Sequence, residues 1–402
     1  MLRCPGCEFF CCRGARDALA DGTVALTRRV PVVWPIRSAA NAGYLRDEFA
    51  RHFVHPAQAQ RRAPIINRGT FARITALRTI IRRFLQLAPT GDAGATTRQV
   101  LVLGAGFDTA VFQLQKEGTL AGAAFFELDF PDIVQQKSRI IAGSAELTTS
   151  LCGAAEDSGG RLRIDPGTHE LTVCAGTMPG GDEASPRCGG QYSLLAADLR
   201  DLDRVRETLG QAGFDSSLPT LVISECVLIY MEPEHSDRLI EWIASTLPQA
   251  AFVLYEQILP SDPFGKIMVR NIASRGCPLK SIAMYPGLEE MCERFRTRGW
   301  QWVAAKDMDV LYKHMLDREE KARTERLEMF DEFEEWHLLM QHYCLLFAAA
   351  DRTTTPAVAR GRAGTDAKAD GTQNEDRQAQ HERRQRAPPS WLEAVGDPIA
   401  QA

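Results

Sequence analysis

The sequence lacks the features that mark a membrane protein or a nucleic-acid-binding protein. It has no run of about 18 apolar residues, the length that a helix needs to cross a bilayer. Its beginning also has no apolar segment of roughly 7 to 15 residues followed by small residues, as a signal peptide would have. The 52 Asp and Glu outnumber the 47 Lys and Arg, for a formal net charge of −5. Because no basic stripe with interleaved aromatic residues is present, we expect neither a membrane nor a nucleic-acid partner.

A complete set of metal ligands and a disulfide framework are also missing. The 11 cysteines are an odd number scattered over 402 residues, which is more typical of reduced thiols in the cytoplasm. Cys4 and Cys7 have the spacing of half a zinc site, and Cys11 and Cys12 follow closely. No second pair and no His pair completes the site. We therefore expect a cytoplasmic location and no metal.

Composition divides the chain into a main domain and three less regular segments. Residues 350–402 are polar and charged, which predicts a disordered tail. Residues from about 150 to 190 are rich in Gly, Ser and Pro, which predicts a long inserted loop, either a tolerated surface insertion or a partner-binding segment. Residues 1–36 are interpreted as a divergent or disordered leader. The main domain then covers residues 37–349.

Within this domain, apolar runs of strand length alternate with helical patterns. The runs are continuous rather than alternating, as expected for strands that are covered on both faces; they cover residues 99–104, 123–130, 192–199, 219–226 and 250–257. Strand and helix in repeated alternation predict an α/β fold with a doubly wound, mostly parallel sheet. Such sheets bind their ligands at the carboxyl ends of the strands.

Glycines and acids occupy these strand ends. They are Gly104, Gly106, Glu127, Asp129, Asp198, Glu225 and Glu256. The interval from Gly104 to Asp129 is 25 residues, roughly the separation between the glycine turn and the ribose-binding acid of a nucleotide-binding βαβ unit. Glu127 and Asp129 are two residues apart in a strand and share a face. Either carboxylate can therefore take the ribose.

The glycine loop does not match the fingerprint of a dinucleotide enzyme. Thr109 stands where the third glycine would be, and Asp108 would bring negative charge towards a pyrophosphate. An acid-lined loop instead suits S-adenosylmethionine, which carries a sulfonium and an amino group but no phosphate. The predicted cofactor is S-adenosylmethionine.

Helices before and after the alternating region are candidates for a substrate pocket. Arg73 lies at the edge of the apolar face of a helix formed by "NRGTFARITALRTIIRRFLQL". It is either a solvated helix charge or a guanidinium fork that holds a carboxylate. A helix is also predicted in "DPFGKIMVRNIASRG", and a long acidic helix starts near Asp317. Two late strands, one after Gly299 and one before residue 350, are predicted to form an edge of the sheet.

Six motifs in order resemble those of the leucine carboxyl methyltransferase family. They are "APIINRGTFARI", "LVLGAGFDT", "FFELDFPDIVQQKSRII", "ADLRDL", "ISECVLIYM" and "YEQILPSDPFGKIM", and the resemblance covers residues 37–349. It implies a class I S-adenosylmethionine-dependent methyltransferase-like domain with helical additions that form a peptide pocket. It also implies the activity, which is methylation of the C-terminal leucine carboxylate of the type 2A protein phosphatase catalytic subunit.

The resemblance also assigns site residues. Contacts with the methyl donor would come from Arg73, Gly104, Asp129, Asp198, Leu199 and Glu225, while Tyr230 would lie near the reacting methyl group and Arg73 would also act in catalysis. One family feature differs, because Ile36 and Arg37 occupy the place where a Lys precedes "GY" in other members. Arg and Lys are not equivalent where a compact ammonium is needed.

A carboxylate acceptor needs little chemical help. The C-terminal carboxyl of a peptide ordinarily has a pKa of about 3.3 to 3.7, so it is ionised at neutral pH and needs no general base. No His lies in the strand-end motifs, and His235 is interpreted as a helix-surface residue. Two alternatives stay open: a small-molecule carboxylate O-methyltransferase, and a catalytically weak protein that only binds the phosphatase.

Overall fold

The structure is a computed structural model that describes residues 33–54, 61–87, 97–152, 161–174 and 191–353. Most of the expected leader, including its four cysteines, and the tail from residue 354 onwards lie outside the described residues. The boundaries of both segments shift slightly, because residues 33–36 belong to the first helix and residues 350–351 to the last strand. Ile36 and Ala350 are both buried in the core, which explains why these positions belong to the folded domain.

The described residues form nine strands and twelve α-helices. The strands are β1 (Arg98–Leu103), β2 (Ala123–Asp129), β3 (Arg161–Ile164), β4 (Leu171–Cys174), β5 (Gln191–Ala196), β6 (Thr220–Glu225), β7 (Gln249–Gln257), β8 (Trp302–Asp307) and β9 (Tyr343–Asp351). The helices are α1 (Val33–Asn41), α2 (Pro64–Leu85), α3 (Ala110–Lys116), α4 (Pro131–Ala142), α5 (Ala145–Cys152), α6 (Leu202–Gln211), α7 (Pro233–Thr246), α8 (Pro263–Ala273), α9 (Leu288–Arg296), α10 (Met308–His314), α11 (Arg318–Glu325) and α12 (Phe333–Gln341).

All nine strands form one sheet in the order β3-β4-β5-β2-β1-β6-β7-β9-β8. The five central strands, from β5 to β7, are parallel, while β9 runs antiparallel to both β7 and β8. The five predicted strands are confirmed, with ends that differ by up to three residues. The two late strands also form an edge of the sheet, as predicted. The α/β fold with a doubly wound, mostly parallel sheet is therefore confirmed.

The continuous apolar strands are explained by two hydrophobic cores, one on each face of the sheet. Alternate residues of a strand enter different cores, so that Val100 and Phe125 belong to the first and Leu101 and Phe126 to the second. Helices α1 to α5, α10 and α12 contribute to the first core, and α6, α7 and α9 to the second. A strand covered in this way has no polar face, as the sequence indicated.

The segment from about 150 to 190 is not a continuous loop in its described part. Residues 161–174 form an antiparallel hairpin, β3 and β4, and β4 continues the sheet by pairing with β5. Leu171 and Val173 point into the first core, and the Asp165 carboxylate accepts hydrogen bonds from the amides of Gly167 and Thr168 in the turn. The loop prediction was wrong here because flanking glycines and prolines obscured a short period-two pattern.

The long acidic helix predicted after Asp317 is also interrupted. It consists of α11 and α12, separated by residues 326–332. In this connection Glu328 accepts hydrogen bonds from Asn67 and Arg61, and the guanidinium of Arg68 lies 3.9 Å from the centre of the Phe330 ring. These contacts with the N-terminal region of the domain outweigh the local helix propensity.

Candidate active site

The fold brings the predicted strand-end residues to one edge of the sheet. Asp198 follows β5, Asp129 ends β2, Gly104 follows β1 and Glu225 ends β6, and these four strands are parallel neighbours in that order. Their carboxyl ends therefore lie side by side, which is the position of the ligand site in a doubly wound sheet.

The loop after β1 turns tightly at two glycines. Gly104 and Gly106 have φ of +65° and +53°, a region that residues with a Cβ rarely occupy. A Cβ on Gly104 would lie 2.5 Å from Cγ2 of Val227, whereas a Cβ on Gly106 would have no described atom within 4 Å. Gly104 is thus required first for the packing of the loop against the segment after β6. Gly106 instead borders open space beside the acids.

Of the two acids Glu127 and Asp129, it is Asp129 whose carboxylate remains available to a ligand. Its Oδ2 accepts the N–H of Gly106 and its Oδ1 the N–H of Phe130, both at 2.7 Å. Each carboxylate oxygen can still accept a further donor, such as a ribose hydroxyl. Burial raises the pKa of Asp129, although these two amides partly oppose the effect. The side chain therefore both shapes the glycine loop and keeps acceptor capacity next to it.

Glu127 is instead occupied by structural partners. Lys137 Nζ lies 2.6 Å from its Oε2 and also donates to the main-chain oxygen of Asp108 at 2.9 Å, while the hydroxyl of Tyr192 donates to Oε2 at 2.8 Å. Lys137 and Glu127 are both fully buried. Sequence reasoning missed the role of Lys137. The available signal was a lysine at an otherwise apolar position of the α4 stripe, between Val134 and Ile141.

Arg73 is a buried member of the site and not a solvated helix charge. Only 1% of it is exposed, and its Nη1 lies 2.8 Å from Oε1 of Glu225. Burial raises the pKa of Glu225, and the Arg73 guanidinium opposes that rise. Helix α2 thus delivers a cation to the carboxyl end of β6, beside the carboxylate of Glu225.

Asp198 lies at the more open end of the site. Although partial burial acts against it, hydrogen bonds from Arg200 lower the pKa of Asp198. Leu199 packs its side chain into the second core. His235, which was expected at the helix surface, is partly exposed and is close enough to contribute to the lowered pKa of Asp198.

Tyr230 ends a 3-10 turn, Leu228–Tyr230, that directly follows β6. The chain enters this turn through Cys226, which has φ of +52° and whose N–H donates to the carbonyl of Tyr255 at 2.8 Å. Tyr230 is half-buried and packs against a small cluster that contains Met268 and Ile272 of α8. The turn therefore connects the strand-end acids with the predicted helix after β7.

Arg37 lies apart from these residues in its contacts. Its Nη1 donates to the carbonyl oxygens of Arg51 and Val54, at 2.8 and 3.1 Å. It thereby holds the 3-10 turn Ala50–Phe53, while Ile36 is buried in the core.

The charges of the site fit S-adenosylmethionine. Asp129, Asp198 and Glu225 lie at neighbouring strand ends and suit a sulfonium and an amino group, although Glu225 is paired with the buried Arg73 and Asp198 with Arg200. The acceptor oxygens of Asp129 fit the ribose, and the guanidinium fits a carboxylate. Within the described ranges, no group of three or more His, Cys, Asp or Glu could hold a metal ion. None of the described helices is long and apolar enough to cross a membrane.

The sheet order, the antiparallel strand β9 beside β7 and the acid-lined glycine loop define a class I S-adenosylmethionine-dependent methyltransferase. The family model for leucine carboxyl methyltransferase matches residues 32–244. The chain is 40% identical over 314 residues to the leucine carboxyl methyltransferase 1 homolog of Arabidopsis thaliana, which covers 78% of this chain and 85% of that protein. This chain belongs to the leucine carboxyl methyltransferase family.

Two further relatives differ in their names. Leucine carboxyl methyltransferase 1 of Rattus norvegicus is 37% identical over 313 residues, with 78% of this chain and 85% of that protein covered. The tRNA wybutosine-synthesizing protein 4 of Homo sapiens is 40% identical over 319 residues, with 79% of this chain but 43% of that protein covered. The chain thus spans less than half the length of the second relative.

Proposed function

We propose that this protein transfers the methyl group of S-adenosylmethionine to the C-terminal leucine carboxylate of the type 2A protein phosphatase catalytic subunit. The product is a methyl ester at the end of the phosphatase chain. The observation that carries the proposal is the buried Arg73, which is 2.8 Å from Glu225 at the carboxyl end of β6. A guanidinium fork in such a place favours a ligand with a carboxylate.

The remaining site residues divide between cofactor and substrate. Asp129 would accept the ribose hydroxyls, Asp198 and the main chain of Leu199 would border the adenine, and the loop at Gly104 would let the cofactor approach the backbone. Glu225 would hold Arg73 in place and add negative charge near the amino group. Bound S-adenosylmethionine supplies an electrophilic methyl group. Arg73 and Tyr230 would hold the acceptor carboxylate in line with that methyl group.

The reaction mainly requires that the carboxylate and the methyl donor are aligned and that water is removed from them. The acceptor is ionised at neutral pH, and alignment of two bound reactants can contribute on the order of 7 to 11 kcal/mol. A buried guanidinium can replace the water around the carboxylate. The peptide would lie between the N-terminal helices α1 and α2 and helix α8, which adjoins Tyr230. A cytoplasmic location is part of this proposal.

A second candidate follows from the wybutosine-synthesizing relative, whose identity to this chain equals that of the Arabidopsis relative. In that case the acceptor would be a carboxyl-bearing group of tRNA. The formal net charge of −5 gives the chain no general attraction for a polyanion. We therefore favour the protein substrate.

One labelling experiment separates these functions. Purified protein is incubated with labelled S-adenosylmethionine and, separately, with the phosphatase catalytic subunit, with the same subunit lacking its last residue, with free carboxylic acids and with tRNA. Base-labile label on the intact subunit only is expected. Label on free acids or on tRNA would replace the proposal by the corresponding alternative, and phosphatase binding without label would favour the weak binding protein.

A further inference from the structure

Glu256 closes the turn that carries Tyr230. It lies near the carboxyl end of β7, is fully buried, and faces the second core, on the opposite side of the sheet from Arg73. Its Oε1 accepts the N–H of Ile229 at 2.6 Å, and the carboxylate also accepts the N–H of Leu228. These two amides begin the 3-10 turn, where main-chain donors have no acceptor within the helix.

Other contacts link the position of this turn to the glycine loop of the candidate active site. Val227 touches the glycine loop, since a Cβ on Gly104 would meet its side chain at 2.5 Å. The carbonyl of Ile229 accepts the N–H of Ser281 at 3.2 Å. Cys226 holds a positive φ, a conformation that persists only where its surroundings fix it. The carboxylate of Glu256 is thus one of a few contacts that hold a constrained segment between two strand ends.

The groups around Glu256 also determine the pH range in which its carboxyl ionises. Arg294 of α9 places Nη1 4.0 Å from its Oε2, and Arg294 is itself held by Asp237 at 2.9 Å. The other titratable groups near Glu256 are Cys344, which is its cross-strand partner on β9, and Cys226. Burial raises the pKa of Glu256 to about 7, although Arg294 and the two turn amides oppose the rise. Its charge therefore changes between about pH 6 and pH 8.

We propose that Glu256 is a positioning residue for methyl transfer: its ionised carboxylate fixes the turn Leu228–Tyr230 and, through it, the place of Tyr230 beside the methyl donor. The role of Tyr230 in this inference rests on the proposed function. Protonation neutralises the Glu256 carboxylate and so weakens the hydrogen bonds that the two amides donate to it. Arg73 and Asp129 lie on other elements, so cofactor binding should be little affected.

The first test is the pH dependence of single-turnover methyl transfer at saturating S-adenosylmethionine. The wild-type rate should rise about tenfold from pH 6 to pH 8, since a group with pKa about 7 goes from about one-tenth to about nine-tenths ionised. Glu256→Gln has nearly the same shape and should give a flat profile no faster than the wild type at pH 6, with cofactor affinity within about twofold. A Glu256→Gln enzyme with the wild-type rate, or with an unchanged rise, would overturn the inference.

A matched control replaces another buried carboxylate at the same edge of the sheet. The double variant Glu127→Gln/Lys137→Met removes a charge pair that has no contact with the turn, so it should keep the rise with pH. If the control also gives a flat profile, the dependence does not originate at Glu256.

The second test needs no substrate. Hydrogen exchange of the Leu228 and Ile229 amides is compared between the wild type and Glu256→Gln, after correction for intrinsic rates. Protection of the wild type should be higher at pH 8 than at pH 6, and the variant should show no such difference. Equal protection in both proteins overturns the inference. If the phosphatase is not methylated at all, the proposed function fails, while the exchange result still tests whether Glu256 holds the turn.

Discussion

Lys137→Met should lower the free energy of unfolding by about 3 to 5 kcal/mol, the usual cost of removing one partner from a buried ion pair. Lys137 Nζ is 2.6 Å from Glu127 Oε2, and neither side chain is more than 1% exposed. Methionine fills a similar volume, so a cavity is a small part of the effect. After the change, Glu127 keeps the Tyr192 hydroxyl but has no opposing charge, and the main-chain oxygen of Asp108 loses a donor.

The measurement is urea unfolding near pH 7.5, compared with the double variant Glu127→Gln/Lys137→Met. Removal of both charges should recover most of the loss, to within roughly 2 kcal/mol of the wild type, because no buried charge remains unpaired. The folded fraction of each variant should bind S-adenosylmethionine with nearly wild-type affinity, since Asp129 is intact. A loss below about 1 kcal/mol for Lys137→Met, or a double variant no more stable than the single one, would refute the structural assignment of Glu127.

Three further outcomes are expected. Gly104→Ala should destabilise the fold, because its Cβ would meet Val227 at 2.5 Å; a melting temperature equal to the wild type would show that the loop has another conformation. Asp129→Asn should weaken binding of S-adenosylmethionine by about 1.5 to 3 kcal/mol, the worth of a hydrogen bond to a charged group, and unchanged affinity in calorimetry would exclude the ribose role. Removal of residues 354–402 should leave the melting temperature and the methyl-transfer rate nearly unchanged, and a clear loss of either would assign the tail a role in the domain.

Much of the fold could be predicted because both faces of the sheet are covered. Residues 100–103 and 250–255 are apolar without interruption, and such runs predict a buried strand. The hairpin β3–β4 was missed for the opposite reason, since its strands of four residues each alternate within a segment rich in turn-forming residues. The break in the acidic helix could not be predicted, because Glu328 and Phe330 leave the helix for partners more than 260 residues earlier in sequence.

The site was predictable as a set of strand ends but not as a set of contacts. The sequence placed Glu127 and Asp129 on one face, and only the positions of Lys137 and Tyr192 decide which carboxylate remains available. The motif after β6 was recognised, but the turn that it forms was not predicted. The residue that closes it, Glu256, lies 27 residues away from Ile229 on another strand, and such a pairing depends on the order of strands in the sheet.

The most direct test of a carboxylate held by Arg73 is single-turnover methylation of the phosphatase catalytic subunit by Arg73→Lys and by a matched control, Arg78→Lys. Both arginines are buried on α2, but the Arg78 guanidinium hydrogen-bonds Asp47 and Thr109, whereas Arg73 forms the ion pair with Glu225. At saturating cofactor, Arg73→Lys should slow methyl transfer by at least tenfold, because an ammonium cannot form two parallel hydrogen bonds with a carboxylate. Arg78→Lys should lower the melting temperature and keep the rate within about threefold of the wild type. Equal rates for Arg73→Lys and the wild type would contradict the account.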